Sequence, residues 1–573
     1  MNEYYDLLKS WCDKLVEYQI TELSDPNFHG GILCPACSLI HGRIGDSVYP
    51  LTAMYHYSGD EKYLNAAKLA VDWSEYNVLR KNGGYFNDKT HNWMGISVFS
   101  TLSFGETLLY HSGCLDDATK EKWTAIFVRL SEFVCSFFGG GADSAHKTNV
   151  NYHASTAAAL ALAYKLTGNE KYKEEACKCA EYSKTFFTDE GLLFGESKGF
   201  DIGYNVEESL PALVLFAHYV EDEEYLDFVA DKFKTHLEFM IPDGGWDNSW
   251  GSRANKWTYW GSRTSDGCQV ALSILAKKDP IFAEAAQRSF NMYKKCSTNG
   301  LLYGGYMYIE AGEEGCTHHS FCHAKALCAM IDNGFIYDTP TALPRDEEYG
   351  LKSFPCAHVE LISKGDFRAT VSASDVVSYS GAATTGGTMT LLWNKKVGPI
   401  FAASMADYQM AEPKNMQYSR HINRMESTSL RIKEGKFESV NERSAKLSAS
   451  YDSEKIVVTA CGKLKNLSFD EGCGYELKYI FRENTVEIFA ISEKGGRFII
   501  PVICSGKDEV VTEGKSAIIR RENAEIILES DSDISFDFKA PRRNFNVVGG
   551  FMTAPLYIDM KSGESVRFAL TVK

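Results

Sequence analysis

The sequence predicts a multidomain α and β chain: an N-terminal (α/α) toroid of helical hairpins over residues 1–340, then an all-β antiparallel sandwich over residues 345–573. Three observations predict it. A unit of helix, short polar turn, tyrosine and helix recurs through the first part. After "YDTPTALPRDEEYG" the apolar residues change from helical spacing to alternation with polar ones. The chain has 573 residues, 44% of them hydrophobic, which is enough to bury more than one core.

The repeat sets the helical part. "MYHYSGDEKYLNAAKLAVDW" turns at Gly59 and Tyr63, "LAYKLTGNEKYKEEACKCAEY" at Gly168 and Tyr172, and "LFAHYVEDEEYLDFVADKF" at Asp222 and Tyr225. The tyrosines stand 109 and 53 residues apart, giving a period of about 54 with one copy unmarked. That copy falls near residue 117, in "LLYHSGCLDDATKEKWTAIF"; further steps reach "LAKKDPIFAEAAQRSF" near Asp279 and "HAKALCAMIDNGF" near Asp332. One such hairpin cannot bury its apolar face alone, so five to six of them stack on one another. Polar and aromatic residues gather at the start of the first helix of each pair, as they would around a central cleft. That favours a closed toroid over an open binding solenoid, with "FFTDEGLLFGESKGFDIGYN" and "IPDGGWDNSWGSRANKWTYWGSRTSDG" as loops at its mouth.

Beyond a boundary near Pro340 to Pro344, "DFRATVSASDVVSYS", "TTGGTMTLLWN", "EKIVVTACGKL", "YELKYIFRENTVEIFAIS" and "ESVRFALTVK" alternate apolar with polar residues and are rich in Val, Thr and Ile. Many short strands of this kind predict stacked antiparallel sheets.

The net charge of −16 and the lack of a long Lys/Arg run exclude nucleic acid as the default partner. The opening "MNEYYDLLKSWCDKLVEYQ" is amphipathic, and no apolar stretch is long enough for a bilayer. No membrane partner is expected, and a cytoplasmic location is; a leader already removed would make it periplasmic or secreted instead. The lack of an export signal favours short imported oligosaccharides and exolytic action. Sixteen cysteines without a repeating framework fit reduced core residues. Nothing in the sequence specifies an oligomer.

Four clusters carry candidate chemistry. "TNVNYHAST" opens a helix with Asn149, Asn151 and His153; Asn149 and His153 share a face at i, i+4, and Asn151 points elsewhere. The plain alternative is a capping asparagine and a core histidine. "GFDIGYNVEESLPALVLF" opens the first helix of the next hairpin with Asp201, Tyr204, Asn205, Glu207 and Glu208. Tyr204 lies 51 residues after His153, almost one repeat on. "GCTHHSFCHAKALCAM" places His318, His319, His323 and Lys325 at the head of the last helix. His319 and His323 fit half a metal site, but no acidic ligand sits beside them. "CPACSLIHGRIGDSVYP" adds Cys34, Cys37, His41, Arg43 and Asp46; its single C-x-x-C lacks the second pair that a structural zinc needs, so the cysteines read as core and Arg43 as a cation aimed at the cleft.

The loop around Trp246, Trp250, Trp257, Tyr259 and Trp260 interleaves Arg253, Lys256 and Arg263. Indole faces and guanidinium groups suit an acidic sugar, so Trp246, Trp250, Arg253, Trp260 and Arg263 join Arg43 and Asn149 as expected substrate-binding residues. The alternative is a Trp-stapled structural loop.

With "NVNYH", a tyrosine one hairpin later in "DIGYN" and the late histidines of "THHSFCH", the chain resembles the polysaccharide lyases of the heparinase II/III type. The resemblance implies an (α/α) toroid with a β-sandwich, an asparagine and a histidine at the uronate carboxylate, and a tyrosine with a histidine for proton transfer. Carried over by position, these are Asn151 and His153, Tyr204, and His318 or His319. In several members the Asn and His are adjacent; here Tyr152 intervenes, which leaves Asn149 and Asn151 both in play. Some members hold a metal in the sandwich, but here that region has only His358 and His421. No cofactor is expected and no metal is indicated.

What these residues imply together is β-elimination on a uronate-containing glycan of glycosaminoglycan or alginate type, leaving a 4,5-unsaturated end. The carboxylate is neutralised by Asn151 and a histidine, His153 or His319 is the base, and Tyr204 donates to the leaving oxygen. The competing readings are a two-carboxylate hydrolase using Asp201, Glu207, Glu208 or Asp266, and a non-catalytic carbohydrate binder. Glu207 and Glu208, adjacent on a helix, diverge by about 100° and cannot flank one bond.

Overall fold

The structure is a computed structural model that describes residues 3–87, 92–145, 149–195, 199–374, 384–403, 405, 428–536 and 550–573. Its helices are α1 Glu3–Glu17, α2 Val48–Ser58, α3 Glu61–Asn77, α4 Ile96–His111, α5 Asp117–Phe138, α6 Val150–Thr167, α7 Glu170–Lys184, α8 Ile202–Tyr204, α9 Leu210–Val220, α10 Glu223–Leu237, α11 Gln269–Leu275, α12 Pro280–Lys295, α13 Tyr306–Glu310 and α14 Thr317–Asp332. A π turn, Asn205–Ser209, joins α8 to α9.

The hairpins form a ring. Going round it, α2, α4, α6, α9, α11 and α14 pack each on the next, and α14 returns to α2. Outside them α3, α5, α7, α10 and α12 each back their own inner helix. The turn expected near Asp332 does not lead to a second helix of a last hairpin: α14 ends there, and the outer helix packed against it is α1, from the other end of the helical region. Asp332 seals the joint with α2, accepting from the hydroxyls of Tyr49 at 2.6 Å and Tyr57 at 2.5 Å.

The repeated residues have repeated jobs. Each of α3, α5, α7, α10 and α12 starts on an Asp or Asn whose side chain accepts a backbone N–H of the first turn: Asp60, Asp116, Asn169, Asp222 and Asp279. The recurrent tyrosine ties one outer helix to the previous one: Tyr63 to Asp13 (2.6 Å), Tyr172 to Glu132 (2.6 Å) and Tyr225 to the Ala180 carbonyl (2.7 Å). The inner helices α4, α6 and α14 are buried along almost their whole length, which is why they lack a polar stripe.

Among the described residues, the strands beyond the helical region build two antiparallel sheets. Gly350–Phe354, Val359–Lys364, Phe367–Ser372, Thr388–Asn394 and Gly398–Ala402 pair in chain order as a five-stranded sheet, and a thirteen-stranded sheet follows, beginning at Arg431 and ending at Val572. The smaller sheet lies between the toroid and the larger sheet. Leu361, Leu391, Trp393 and Ala402 belong to the helical core, whereas Ile362, Met389, Leu392 and Phe401 belong to the core of the larger sheet. Phe367–Ser372 and Thr388–Asn394 are therefore buried at every position, while Ile456–Lys465 largely alternates. Arg345 crosses the junction, donating to the Glu238 carbonyl (2.9 Å), Asp247 (3.1 Å) and Thr370 (2.8 Å).

Candidate active site

Tyr204 stands at the start of an inner helix whose first turn is fixed from both sides. The Asp201 carboxylate accepts from the Tyr204 backbone N–H (3.2 Å) and from Asn248 (2.9 Å), and Asn248 in turn accepts from Ile202 N (2.8 Å). One turn on, the π segment brings Glu207 against the hairpin Trp257–Thr258 and Gly261–Ser262, where its carboxylate accepts from Ser262 N (3.0 Å), Ser265 Oγ (3.0 Å) and Tyr293 OH (2.5 Å). Only glycine fits at 261: a Cβ there would lie 2.0 Å from the Glu207 carboxylate oxygen. The same loop carries Arg253 and Lys256 to the Tyr204 ring, at 5.1 and 5.7 Å from its centroid.

Tyr204 is 7% exposed. Burial pushes its hydroxyl well above the usual phenol range, the charges of Glu208 and Tyr152 add to this, and Arg253 and Arg43 oppose it. The phenol is thus held protonated and placed among cations, the state required of a proton donor.

The four side chains of Arg43, Asp46, Asp266 and Lys325 make a buried ion cluster under this site. Arg43 donates to Asp46 through Nε (2.8 Å) and Nη2 (2.5 Å), to the Thr264 carbonyl through Nη1 (2.8 Å) and to Asp266 through Nη2. Lys325 donates to the second Asp266 oxygen at 2.6 Å. Burial alone would raise the Asp266 carboxyl, but Arg43 and Lys325 pull it below the usual range. Arg43 therefore does not offer its charge to a ligand as expected: most of its N–H groups are already engaged, and it braces the site instead.

The two faces of the α6 start go to different neighbours. Ser155 donates to Glu208 at 3.1 Å, and Asn151, one turn earlier, shares that face. His153, on the opposite side with Asn149, packs its ring 4.7 Å from that of Tyr182 on the outer helix α7 and 6.2 Å from that of Phe186, just past the end of that helix. Tyr152, which the sequence presents only as an interruption, belongs to the surroundings of Tyr204: its hydroxyl accepts from Trp93 Nε1 at 2.5 Å, and both phenols feel the same Arg253, Glu208 and Arg43.

At the head of α14, His318 is 5% exposed, with its ring 4.8 Å from that of His41. His319 sits against Trp260 at 5.5 Å. Burial, reinforced by nearby cationic and imidazole groups, holds both rings well below the usual imidazole range. His323 faces inward, its Nδ1 2.7 Å from the His319 carbonyl and its Nε2 3.5 Å from Glu207, so it does not form a metal half-site with His319.

The aromatic loop is the structural staple rather than a sugar platform. Trp246, Trp250, Trp260 and Arg263 are each 0% exposed, which leaves no face for a substrate. Trp260 donates to the Tyr303 carbonyl (2.7 Å), Trp257 to the Trp246 carbonyl (2.9 Å) and Arg263 to Tyr308 OH (2.9 Å). Of the residues expected to bind substrate there, Arg253 alone reaches the Tyr204 face, together with Lys256. The hydrolase carboxylates are also engaged internally, Glu207 and Asp266 through both oxygens, Asp201 and Glu208 through one oxygen each. In the sandwich, His358 is exposed at the end of a short turn, and His421 lies outside the described residues.

Comparison with known proteins bears on this geometry. Residues 8–346 match the family model of the ulvan lyase N-terminal domain, and residues 351–573 that of the ulvan lyase C-terminal domain. The chain is 37% identical over 588 aligned residues to a broad-specificity ulvan lyase of Formosa agariphila, covering 96% of this chain and 90% of that one. Its fold is similar to that of heparinase III (TM-score 0.57, 13% identity, 97% of this chain and 78% of that one). It is also similar to that of a Streptomyces coelicolor chondroitin AC lyase (TM-score 0.60, 12% identity, 100% and 80%).

Proposed function

Because the chain belongs to the ulvan lyase family, we propose that it cleaves ulvan by β-elimination at the cluster around Tyr204. It is a polysaccharide lyase acting on uronic-acid glycans. The observation that carries the site assignment is the buried Tyr204 ring with Arg253 and Lys256 against it.

The chemistry follows from what elimination needs. The uronate carboxylate sits near Arg253 and Lys256 and hydrogen-bonds the amide of Asn151, so the charge that develops on the carboxylate as C5 loses its proton is stabilised. A base takes the C5 proton, a role that falls to His318 or His319 at the head of α14, which are 5% and 4% exposed. The electron pair forms the C4–C5 double bond, the C4–O4 bond breaks, and Tyr204 gives its proton to the departing O4. The product is a 4,5-unsaturated uronate.

The test is incubation with ulvan, glycosaminoglycans and alginate while the ultraviolet absorbance of the conjugated product is followed. Tyr204→Phe is expected to lose about 10²-fold or more in kcat with its fold intact. Full activity of that variant would overturn the site assignment. Reducing ends appearing without absorbance would overturn the elimination.

A further inference from the structure

The segment between α1 and α2 folds Cys34, Cys37 and His41 onto one point. Cys34 N donates to the Leu39 carbonyl and Ser38 N to the Cys34 carbonyl, both at 2.8 Å, and Ser38 takes a left-handed φ of 58°, so the chain doubles back in a tight knuckle. The two sulfurs and a ring nitrogen of His41 all lie within 4.8 Å of one another, with Cys37 Sγ 3.2 Å from His41 Nε2. Facing the knuckle is Cys316, at the N-terminus of α14, with its Sγ 3.7 Å from that of Cys34 but outside the set of three atoms that all lie within 4.8 Å of one another.

Two thiolates held at about 2.3 Å by a tetrahedral zinc ion stand about 3.8 Å apart, which is the Cys34 to Cys316 separation and nearly twice a disulfide bond. The C-x-x-C of the knuckle alone lacks the second pair that a structural zinc needs. The chain supplies another thiolate 282 positions after Cys34, where no local motif shows it. We propose that Cys34, Cys37 and His41 are a preformed three-ligand site for a structural zinc ion, with Cys316, already beside Cys34, drawn in as the fourth ligand on binding. Soft thiolates with one imidazole select zinc over the hard oxygen-bound cations, and four protein ligands leave no open position for catalysis.

The surroundings fit that role. Cys34, Ala36, Cys37 and Cys316 form a small apolar cluster of their own, detached from the main core and too small to hold a loop by burial alone. The ion clips this loop to the head of the last inner helix, beside the place where α1 and α14 close the ring. His318, whose ring lies tilted against that of His41, is positioned by the same clip.

The experiment uses the full chain expressed with zinc and a reductant, dialysed into metal-free buffer and assayed for metal by mass spectrometry. One zinc per chain is expected, falling to background in Cys37→Ser and in His41→Ala but retained in Cys461→Ser, a change at an exposed cysteine of the larger sheet. Replacement by cobalt in the unaltered chain, a readout that needs no variant, is expected to give thiolate-to-cobalt charge transfer and the strong visible bands of a tetrahedral site. Unaltered protein without bound zinc and without those bands overturns the proposal. So does a Cys34–Cys316 disulfide found by peptide mapping of the zinc-grown protein.

Discussion

The ring of His153 stands edge-on to that of Tyr182, 4.7 Å between centroids, on the side of α6 opposite the one where Ser155 donates to Glu208. The pairing divides a polar helix start into a packing face and a face turned to the site. His153→Phe, which refills the contact with Tyr182, is expected to keep kcat/KM on ulvan within a few-fold. Asn151→Ala is expected to lose about 10²-fold, as for removal of a donor to a developing oxyanion. Equal losses in the two variants would contradict the division.

Asp266→Ala leaves Arg43 and Lys325 buried against one remaining carboxylate. Unpairing a buried charge costs about 3–5 kcal/mol, so a marked fall in the thermal midpoint is expected. The exposed pair Lys122 and Asp72, 2.5 Å apart, is the control: Lys122→Ala changes stability by no more than about 1 kcal/mol. The two midpoints, measured by scanning calorimetry, check both.

Glu106, on α4, has its carboxyl pushed up to about 8 by burial, against the opposing Lys325 charge and the Tyr219 hydrogen bond. The folded chain therefore keeps a proton on Glu106 that the unfolded chain releases near the ordinary Glu value of about 4.3. Stability from this group is full below that value and declines as pH rises toward about 8. Glu106→Gln, which still accepts from Tyr219, is expected to remove that decline. Thermal midpoints of both proteins between pH 5 and about 8.5 would diverge with rising pH; parallel curves would refute the assignment.

Tyr172→Phe removes the hydroxyl that ties α7 to α5 at Glu132. A loss of about 0.5–1.5 kcal/mol is expected, read as a lowered midpoint, with activity unchanged because the site is on the inner ring.

The ring was legible in the sequence because its hairpins repeat two local devices, an Asp or Asn that caps the outer helix and a tyrosine that reaches the previous one. The sheets were legible because the larger one has a single core face, which forces alternation along Ile456–Lys465. The site was harder to read. Which side of α6 meets Glu208 depends on how the helix is rotated by its neighbours, and three residues apart in the chain do not say it. A loop of tryptophans and arginines has the same composition whether it stacks on sugar or on itself, and only the complete burial of Trp246, Trp250 and Trp260 decides. Asp332 looked like another turn because its helix is like the others, but the partner it needed was the first helix of the chain.

The pairing of α1 with α14 fixes the copy number of the hairpins. An open array can gain or lose a unit at its end and keep every other interface, so families of such arrays drift in length. Here a duplicated or deleted hairpin would leave α1 and α14 unable to meet, and the surfaces they cover would face water. Length changes that leave the circumference of the ring intact are accordingly those in exposed connections between helices, not in the hairpins themselves or in the buried loop around Trp246 and Trp260.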